Sequence, residues 1–249
     1  MNDSTNLKGK TALVTGGATR IGRALCLALA QAGAAVAIHY RNSESEARGL
    51  KQDIERLGGW AQTFQAELNN EEACRSLIAE VTAWNGAPYL LVNNASVFTR
   101  ETLAEVTETS LLQEFWPNLF APMLLSKYFA EKVTGSGVII HMLDRRITAN
   151  DTRFFAYGIA KKALADLTTM SAVALAPRIK VHGIAPGPIL PPPGQDEAYL
   201  KEKGGKRLLD DTLDPSAIAA AMMALLSLRG ATGQIIYIDA GQHLLGNGV

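Results

Sequence analysis

A tyrosine and a lysine stand four positions apart in the stretch YGIAK, residues 157–161. On a helix this spacing puts Tyr157 and Lys161 on one face, where their side chains can converge. A free tyrosine has a pKa of about 10, and a neighbouring ammonium group lowers that pKa because it favours the phenolate. The pair is therefore suited to proton transfer near neutral pH. The same spacing occurs by chance in many helices, so its significance depends on the residues that accompany it.

A glycine-bearing turn follows the first apolar run, in the stretch TGGATRIG, residues 15–22. A strand, such a turn and a helix form the context of a dinucleotide-binding fingerprint. Gly16 and Gly22 would let the backbone approach a pyrophosphate, and the helix that begins near Arg20 or Ile21 would direct its free N–H groups at it. Arg20 could also bind phosphate or face a ligand beside the nicotinamide. The alternatives are a turn without a ligand and a solvated arginine.

The second apolar run ends in HYRNSESEA, residues 39–47, without the acid that NAD-specific enzymes offer to the ribose diol. Arg41 supplies a cation at the position where a 2′-phosphate would lie, with His39 and Ser43 as helpers. We therefore expect NADPH as the cofactor. The alternative is a loop arginine that is only solvated.

Short β-branched runs alternate along the chain with longer amphipathic stretches, as in a parallel sheet that is covered by helices on both faces. Strands are predicted at residues 11–15, 34–40, 60–66, 89–94, 137–142, 179–185 and 234–239. Helices are predicted at residues 20–32, 44–57, 70–83, 107–133, 156–176 and 215–228. The sequence therefore predicts an α/β fold, a single Rossmann-type doubly wound domain over residues 1–249 with about seven parallel strands.

The composition narrows the class of protein. The 249 residues carry 24 Lys and Arg against 24 Asp and Glu, so no global field favours nucleic acid or an anionic membrane. Cys26 and Cys74 have no metal-ligand spacing, and we expect buried thiols in a reducing compartment and no metal site. Residues 1–9 lack the apolar core of a signal peptide, and no apolar run is long enough to span a bilayer. A cytoplasmic enzyme with a small-molecule substrate is expected.

Further motifs follow the glycine turn in a fixed order. They are NNAS at residues 93–96, Asn118, the YGIAK pair and APGP at residues 185–188, and the chain ends in a TGQ and a DAG segment. In this order, across nearly the whole chain, they resemble the short-chain dehydrogenase/reductase family. Arg20 stands where the middle glycine of that family's T-G-x-x-x-G-x-G usually lies.

This resemblance implies roles for further residues. Lys161 would also hydrogen-bond the nicotinamide ribose, Asn118 would hold a water in a proton relay, and Glu67 and Leu68 would lie beside the adenine. The NNAS segment would brace the sheet beneath the cofactor. The predicted cofactor contacts are Gly16, Arg20, Ile21, Gly22, His39, Tyr40, Arg41, Asn42, Ser43, Glu67, Leu68, Asn94, Ala95, Ser96, Tyr157, Lys161, Pro186 and Gly187.

Asp144 stands thirteen residues before Tyr157, where the family usually has a serine. An ionised carboxylate would repel a developing alkoxide and raise the pKa of the tyrosine, which argues against an ordinary ketone substrate. A carboxyl group suits the reduction of a C=N bond, because the ring nitrogen must receive a proton as the neighbouring carbon takes hydride. Asp144 could deliver that proton directly or through the phenol of Tyr157.

The resemblance narrows to one branch of the family, the pteridine reductases and the similar dihydromonapterin and dihydrofolate reductases. The residues that carry it are Asp144, Arg20, Ser96 and Phe98. Phe98 would stack on a flat heterocycle, which contributes around 1 kcal/mol beyond burial, unless it is a core aromatic. The predicted catalytic residues are Asp144, Tyr157, Lys161 and Asn118, and the predicted substrate contacts are Arg20, Ser96, Phe98, Asp144 and Tyr157.

The expected activity is NADPH-dependent reduction of a dihydropteridine ring of pterin or folate type, with the proton supplied by way of Tyr157 and Asp144. The alternative is a carbonyl reductase of the same fold, acting on a ketoacyl thioester or a quinone, in which Asp144 only orients Tyr157. A non-catalytic NADPH-binding regulator is disfavoured, because Tyr157, Lys161 and Asn118 are all present.

The roles of one segment and of two arginines are less well defined by the sequence, and the expected assembly rests on resemblance alone. The segment 188–208 contains a proline run and KEKGGKR and is predicted to form a substrate lid. Arg145 and Arg146 either meet an anionic tail, such as a glutamate moiety, or are only solvated. The family resemblance implies a homotetramer built on the helices near 107–133 and 156–176.

Overall fold

The fold is a seven-stranded parallel sheet with helices on both faces. The structure is a computed structural model that describes residues 6–191, 198, 200, 202, 204–211 and 213–245. Its strands are β1 (Thr11–Val14), β2 (Ala35–Tyr40), β3 (Trp60–Gln65), β4 (Leu90–Asn93), β5 (Gly137–Met142), β6 (Ile179–Pro186) and β7 (Ile235–Ile238). They lie in the order β3-β2-β1-β4-β5-β6-β7, and each neighbouring pair is parallel. The predicted doubly wound α/β fold is confirmed.

Helices cover the two faces of the sheet. They are α1 (Arg20–Gln31), α2 (Glu44–Arg56), α3 (Glu71–Asn85), α4 (Glu108–Phe115), α5 (Ala121–Lys132), α6 (Phe155–Ala174) and α7 (Pro215–Ser227). Helices α1, α2 and α7 pack on one face, and α3, α5 and α6 pack on the other. The helix predicted over 107–133 is interrupted between α4 and α5 by a π-helical turn, Trp116–Phe120. This turn contains Pro117, which has no N–H to donate to a helical hydrogen bond.

Alternate residues of the central strands face the two helical layers. Ala12 and Val14 of β1 belong to the core beneath α1 and α7, whereas Leu13 between them belongs to the core beneath α3 and α5. All three side chains are buried. A strand that is buried on both faces must be apolar throughout, which explains the near-continuous apolar runs of the sequence. Burial of each large aliphatic side chain contributes roughly 1.5–3 kcal/mol relative to exposure.

The described residues can be compared with the expectations for membrane spans, metal sites, cysteines and the lid. No helix among them is long and apolar enough to cross a membrane. Within the same ranges, no group of His, Cys, Asp and Glu side chains could hold a metal ion. Cys26 and Cys74 are free and buried, and burial raises the pKa of both thiols. The predicted lid, 188–208, lies partly outside the described residues, which omit 192–197, 199, 201 and 203 within it.

The carboxyl ends of the strands bring the chemical motifs together. The glycine turn follows β1, the loop with Arg41 follows β2, and NNAS begins at the end of β4. Asp144 follows β5, and Gly187 follows β6. Because the carboxyl ends of parallel strands lie at one edge, ligands bind there in open α/β sheets.

Candidate active site

Two adjoining clefts open at the carboxyl edge of the sheet. The larger, of about 850 Å³, lies over the glycine turn and the loop after β2. The smaller, of about 590 Å³, lies over the end of β5 and the start of α6. Both clefts are lined by Arg20, Ile21, Asn94 and Ser96, which therefore lie at their boundary. Each volume falls in the range of small-molecule sites, about 300–1,000 Å³.

The glycine turn is packed too closely to accept side chains. Gly16 has a φ angle of 59°, in the left-handed region. A Cβ atom on Gly22 would lie 2.1 Å from the carbonyl oxygen of Gly16 and 2.9 Å from Asn94 Nδ2. The first turn of α1 therefore lies directly against the loop, and Ile21 and Gly22 line the larger cleft. A helix N-terminus that is packed against a glycine-bearing loop in this way can bind phosphate through its unpaired N–H groups.

Arg20 has a backbone conformation that favours glycine. Its φ angle is 53°, and the left-handed region costs most side chains roughly 1–2 kcal/mol. The guanidinium is exposed, and its Nη2 donates to the carbonyl oxygen of Pro191 at 2.9 Å and to that of Leu190 at 3.4 Å. Arg20 thus keeps the conformation of the replaced glycine and adds a cation between the two clefts. Backbone strain of this kind clusters at functional sites.

Asn94 ties the glycine turn to the end of β4. Its Nδ2 donates to the backbone oxygen of Thr15 at 2.9 Å and to that of Gly16 at 3.0 Å. In return, Thr15 Oγ1 accepts from the backbone N–H groups of Asn94 and Ala95, both at 2.9 Å. These four bonds hold the loop in the bracing role that the family resemblance implies. They also explain why Asn94 lines both clefts.

His39 lies beneath the loop and does not offer a free nitrogen to a phosphate. Its Nδ1 accepts from the N–H of Gly16 at 3.1 Å, which makes Nε2 the donor to the carbonyl oxygen of Ala66 at 3.1 Å. Burial lowers the pKa of His39 to about 4, so the ring is neutral. Arg41 is exposed and Ser43 is half-buried, and both line the larger cleft. Arg41 and Ser43 thus lie where a 2′-phosphate could reach them. His39 was predicted to help bind that phosphate, but it supports the glycine turn instead.

All the predicted cofactor contacts line at least one of the two clefts. The larger is lined by Gly16, Arg20, Ile21, Gly22, His39, Tyr40, Arg41, Asn42, Ser43, Glu67, Leu68, Asn94, Ala95 and Ser96. The smaller is lined by Tyr157, Lys161, Pro186 and Gly187. The sequence missed the contribution of α4 and the π-helical turn, where Leu112, Trp116 and Pro117 complete the wall of the larger cleft. The close glycine cradle and the exposed Arg41 fit a dinucleotide with an additional phosphate.

Tyr157 and Asp144 form a hydrogen-bonded pair in the smaller cleft. The phenol of Tyr157 donates to Asp144 Oδ2 at 2.9 Å. Lys161 Nζ donates to the carbonyl oxygen of Met142 at 2.9 Å. Burial, and then the Asp144 carboxylate, raise the pKa of Tyr157 well above its usual value, and burial lowers the pKa of Lys161 to about 8. The expected lowering of the tyrosine pKa by Lys161 is therefore wrong for this structure, because burial and Asp144 outweigh the ammonium group.

Arg146 is the counter-ion of Asp144 and is not merely solvated. Its Nη1 lies 3.2 Å from Asp144 Oδ2, and its backbone N–H donates to Asp144 Oδ1 at 2.8 Å. Its Nε also donates to Asp151 Oδ2 at 3.3 Å. The guanidinium and the phenol of Tyr157 are thus both donors to the same carboxyl group. Asp144 therefore acts as an acceptor for Tyr157, and the phenol is the group that carries a proton.

An aromatic pair forms one wall of the smaller cleft. Phe98 stacks on Phe154 with ring centroids 4.2 Å apart, and its centroid lies 4.7 Å from that of Tyr157 in an edge arrangement. Phe98 is 49% exposed, so it is not a core aromatic. The guanidinium carbon of Arg146 lies 5.2 Å from the centroid of Phe98. Phe154, which the sequence did not single out, thus completes an aromatic surface beside the Tyr157 phenol.

Comparison with known proteins decides the family. A sequence model of the family described as enoyl-(acyl carrier protein) reductase matches residues 16–243. An uncharacterized oxidoreductase, MT0954 of Mycobacterium tuberculosis (strain CDC 1551 / Oshkosh), is 33% identical, with 96% of this chain and 94% of the relative covered. The chain belongs to the short-chain dehydrogenase/reductase family. The predicted family is thereby confirmed, and the protein is a NAD(P)-dependent oxidoreductase.

Other relatives of this short-chain dehydrogenase/reductase differ in their described activities. A glucose and ribitol dehydrogenase homolog of Oryza sativa subsp. japonica is 30% identical, with 96% of this chain and 87% of the relative covered. The crystal structure of FolM alternative dihydrofolate reductase 1 from Brucella canis, complexed with NADP, superposes with a TM-score of 0.89 at 33% identity. That match covers 96% of each chain. The family is thus shared by relatives named for quite different substrates.

In this short-chain dehydrogenase/reductase, Asn118 lies in the π-helical turn and is fully buried. Its Nδ2 donates to the backbone oxygen of Val97 at 3.0 Å and to that of Glu114 at 2.9 Å, and its Oδ1 accepts from Ser96 Oγ at 2.6 Å. Single π-helical turns within helices are frequent at functional sites. The buried carboxyl group of Glu114, whose pKa burial raises, was not anticipated from the sequence. Asn118 thereby fixes the orientation of Ser96 at the boundary of the clefts.

Proposed function

We propose that this enzyme uses NADPH to reduce a C=N bond in a dihydropteridine ring of pterin or folate type. The observation that carries the proposal is the hydrogen bond from the Tyr157 phenol to the Asp144 carboxylate, 2.9 Å long, beside the exposed ring of Phe98. A carboxylate in this position differs from the neutral donor that suffices for a ketone.

NADP(H) is the cofactor, as predicted. The family uses NAD(P), and solved structures similar to this one, among them the Brucella canis protein, are complexed with NADP. Arg41 lies exposed at the end of β2, where a carboxylate would instead select NAD. When bound, NADPH supplies the hydride that adds to the carbon of the C=N bond. Gly16 and Gly22 would leave room for its pyrophosphate, and Arg41 would bind its 2′-phosphate.

Proton delivery rests on Tyr157. Its raised pKa keeps the phenol protonated at neutral pH, so Tyr157 can give its proton to the ring nitrogen. Asp144 orients the phenol, and the ammonium group of Lys161, 5.7 Å from the centroid of the Tyr157 ring, offsets the charge of the phenolate. The phenolate then recovers a proton from solvent.

The charge of Asp144 distinguishes the two kinds of bond. Reduction of a C=N bond produces an N–H group, which can donate a hydrogen bond to the carboxylate. Reduction of a carbonyl develops an alkoxide, which the same carboxylate repels. Arg146 Nη1, which lies 3.2 Å from Asp144 Oδ2, is the counter-ion of this carboxylate. The site is therefore better suited to a ring nitrogen than to a carbonyl oxygen.

Binding of the ring involves three side chains around the boundary of the clefts. Phe98 offers a half-exposed ring for stacking, which contributes about 0.5–1.5 kcal/mol beyond burial. Ser96 donates its hydroxyl proton to Asn118, so its oxygen lone pairs remain free to accept from the ring edge. Arg20 lines both clefts and supplies a donor between phosphate and ring.

The Asp144→Ser variant tests the proposal. Turnover of a dihydropterin should fall about 10²-fold or more, because the phenol loses its orienting acceptor. The Kd for NADPH should stay within about twofold, since Asp144 does not line the larger cleft. Spectrophotometric assays of NADPH oxidation measure dihydropterin turnover, and fluorescence titration measures the Kd for NADPH. The matched control is Asp211→Ser, an exposed aspartate before α7 that lines neither cleft, which should behave as wild type. Unchanged dihydropterin turnover in Asp144→Ser refutes the role of the carboxylate.

Carbonyl reduction is the second candidate, and one specific observation favours it. The Oryza sativa relative, 30% identical to this chain, is named a glucose and ribitol dehydrogenase homolog. In this alternative Asp144 only orients Tyr157. The variant above separates the two, because a serine at position 144 should raise carbonyl turnover while it lowers ring reduction.

We also propose that the enzyme is a homotetramer that contacts its copies through α5 and α6. The exposed apolar side chains on these helices support this assembly. They include Met123, Ile159, Met170 and Val173, of which Val173 is 81% exposed. Apolar side chains on neighbouring helices are typical of symmetric interfaces between copies of one chain.

A further inference from the structure

The smaller cleft is strongly cationic, although the whole chain carries equal numbers of acidic and basic residues. Its charged lining consists of Arg20, Arg100, Arg146, Arg153 and Lys161 against the single carboxylate of Asp144. Such a local excess of positive charge attracts anionic ligands and is stronger in a cleft than on an open surface. Part of this charge has no role in the proposed proton transfer.

Three of the cations are bonded to Asp144 or to backbone carbonyl groups of the site. Arg146 pairs with Asp144 and Asp151, and Lys161 donates to a backbone carbonyl. Arg20 donates to carbonyl oxygens of the segment after β6. The two cations that remain, Arg100 and Arg153, belong to different segments of the chain, and neither was singled out from the sequence.

A parallel β-bridge between Glu101 and Phe154 places Arg100 beside Arg153. The N–H of Glu101 donates to the carbonyl oxygen of Arg153 at 2.9 Å, and the N–H of Phe155 donates to that of Glu101 at 2.9 Å. In a parallel pair, the residues that precede the bridged positions are neighbours as well. Both guanidinium groups therefore belong to one patch of the cleft wall.

The charge of this pair is only partly balanced. Asp151 binds Arg153 through two bonds, from Nε at 2.8 Å and from Nη2 at 3.0 Å, but it also accepts from Arg146. One carboxylate thus serves two guanidinium groups. Among the described residues, the side chain of Arg100 has an electrostatic interaction with Glu105 but no hydrogen bond to hold it in place. An anion bound here would meet one guanidinium that makes no hydrogen bond and one whose counter-ion is shared.

We propose that Arg100 and Arg153 form a subsite for an anionic group, a carboxylate or a phosphate, carried on the side chain of the reduced ring. This inference rests on the proposed function and narrows its substrate to rings with an acidic tail. Phe98 lies between the phenol of Tyr157 and the ring of Phe154, which is adjacent to Arg153 in the chain. A tail that leaves the ring along this aromatic pair is directed to the two arginines.

Arg146, for which the sequence left contact with such a tail open, is held by Asp144 and Asp151 and does not belong to the subsite. The stacked aromatic pair suits a flat spacer between the reduced ring and the acidic group. Guanidinium groups bind either a carboxylate or a phosphate through paired N–H donors, so the two anions share one chemistry.

The Arg100→Gln variant tests the subsite through a ratio of specificities. The kcat/KM for dihydrofolate, with its carboxylate tail, and for a dihydropterin with a phosphorylated side chain is each divided by that for dihydrobiopterin, which has no charge on its tail. For at least one anionic substrate the wild-type ratio should fall about 10-fold in Arg100→Gln, mainly through KM. Arg229→Gln, an exposed arginine between α7 and β7, is the matched control and should keep the wild-type ratio. Whichever anionic substrate responds identifies the anion, and ratios within twofold of wild type for both overturn the inference.

A binding measurement separates this inference from the function on which it rests. Calorimetric titration of the NADPH-loaded enzyme with p-aminobenzoyl-glutamate, which has the acidic tail but no reducible ring, reports the subsite without turnover. Binding that weakens about 10-fold in Arg100→Gln supports the subsite even where no dihydropterin is reduced, an outcome that would remove only the proposed function. Equal binding by wild type and Arg100→Gln overturns the subsite even where ring reduction is observed.

Discussion

Replacement of Tyr157 by phenylalanine should lower kcat for ring reduction about 10²–10⁴-fold, because the phenol is the proposed proton donor to the ring nitrogen. The phenol is buried, donates to Asp144 at 2.9 Å and has a raised pKa, so it holds its proton until the substrate accepts it. Removal of one oxygen leaves the aromatic edge against Phe98 in place. Steady-state NADPH oxidation measures kcat, and fluorescence titration measures NADPH binding.

Tyr128→Phe is the control for loss of a phenol elsewhere. Tyr128 is similarly buried, but it lies on α5 and its hydroxyl pairs with Glu71 outside both clefts. We expect this variant to keep the wild-type kcat. If Tyr157→Phe also keeps kcat within about threefold of wild type, Tyr157 is not the proton donor and the mechanism proposed for the pair is wrong.

The second large effect is expected at Gly22. In Gly22→Ala the new Cβ would lie 2.1 Å from the carbonyl oxygen of Gly16 and 2.9 Å from Gly17 Cα, and backbone atoms cannot rotate away. Either the turn or the start of α1 must shift. Overpacking of this kind costs typically 1–3 kcal/mol, which in a chain of this length lowers the Tm by about 2–4 °C per kcal/mol. Because the displaced N–H groups are those proposed to bind the pyrophosphate, the Kd for NADPH should rise at least about 10-fold.

Gly49→Ala provides the matched control, since Gly49 lies in α2 and a Cβ atom added there would have no described atom within 4 Å apart from its chain neighbours and the backbone of its own helix. Alanine in a helix interior is more favourable than glycine by up to about 1 kcal/mol, so this variant should be as stable as wild type or more stable, with normal NADPH binding. Differential scanning calorimetry and fluorescence titration report both quantities. Wild-type NADPH affinity in Gly22→Ala would mean that the cofactor does not bind against this turn.

The strands and most helices could be predicted from the sequence because their pattern is local. β1, β4 and β5 are apolar at nearly every position since both of their faces are covered, and that pattern does not depend on distant residues. The break between α4 and α5 was missed, although Pro117 marks it, because an apolar periodicity continues on both sides. Hydrophobic period alone does not distinguish a continuous helix from two helices joined by a π-helical turn.

The candidate site was predictable only in part, and the reason is physical. The family resemblance, which places Asp144 where a serine usually acts beside the tyrosine, was sufficient to predict the pairing of Asp144 with Tyr157. The net direction of the shift in the pKa of Tyr157 was not predictable, because Lys161 and Asp144 act in opposite directions and the balance depends on burial and distance, which the sequence does not contain. Arg100 and Phe154 were missed because they reach the cleft through a bridge between segments about fifty residues apart in sequence. Their contact becomes visible only when the chain is folded.

One measurement tests the central claim most directly: NADPH oxidation by the wild-type enzyme with dihydrofolate, dihydrobiopterin, dihydromonapterin and an acetoacetyl thioester in parallel assays. Because Asp144 accepts an N–H donor and repels an alkoxide, we predict turnover of at least one dihydropteridine and a kcat/KM for the thioester at least about 10²-fold lower. Turnover of the thioester without turnover of any dihydropteridine would contradict the account.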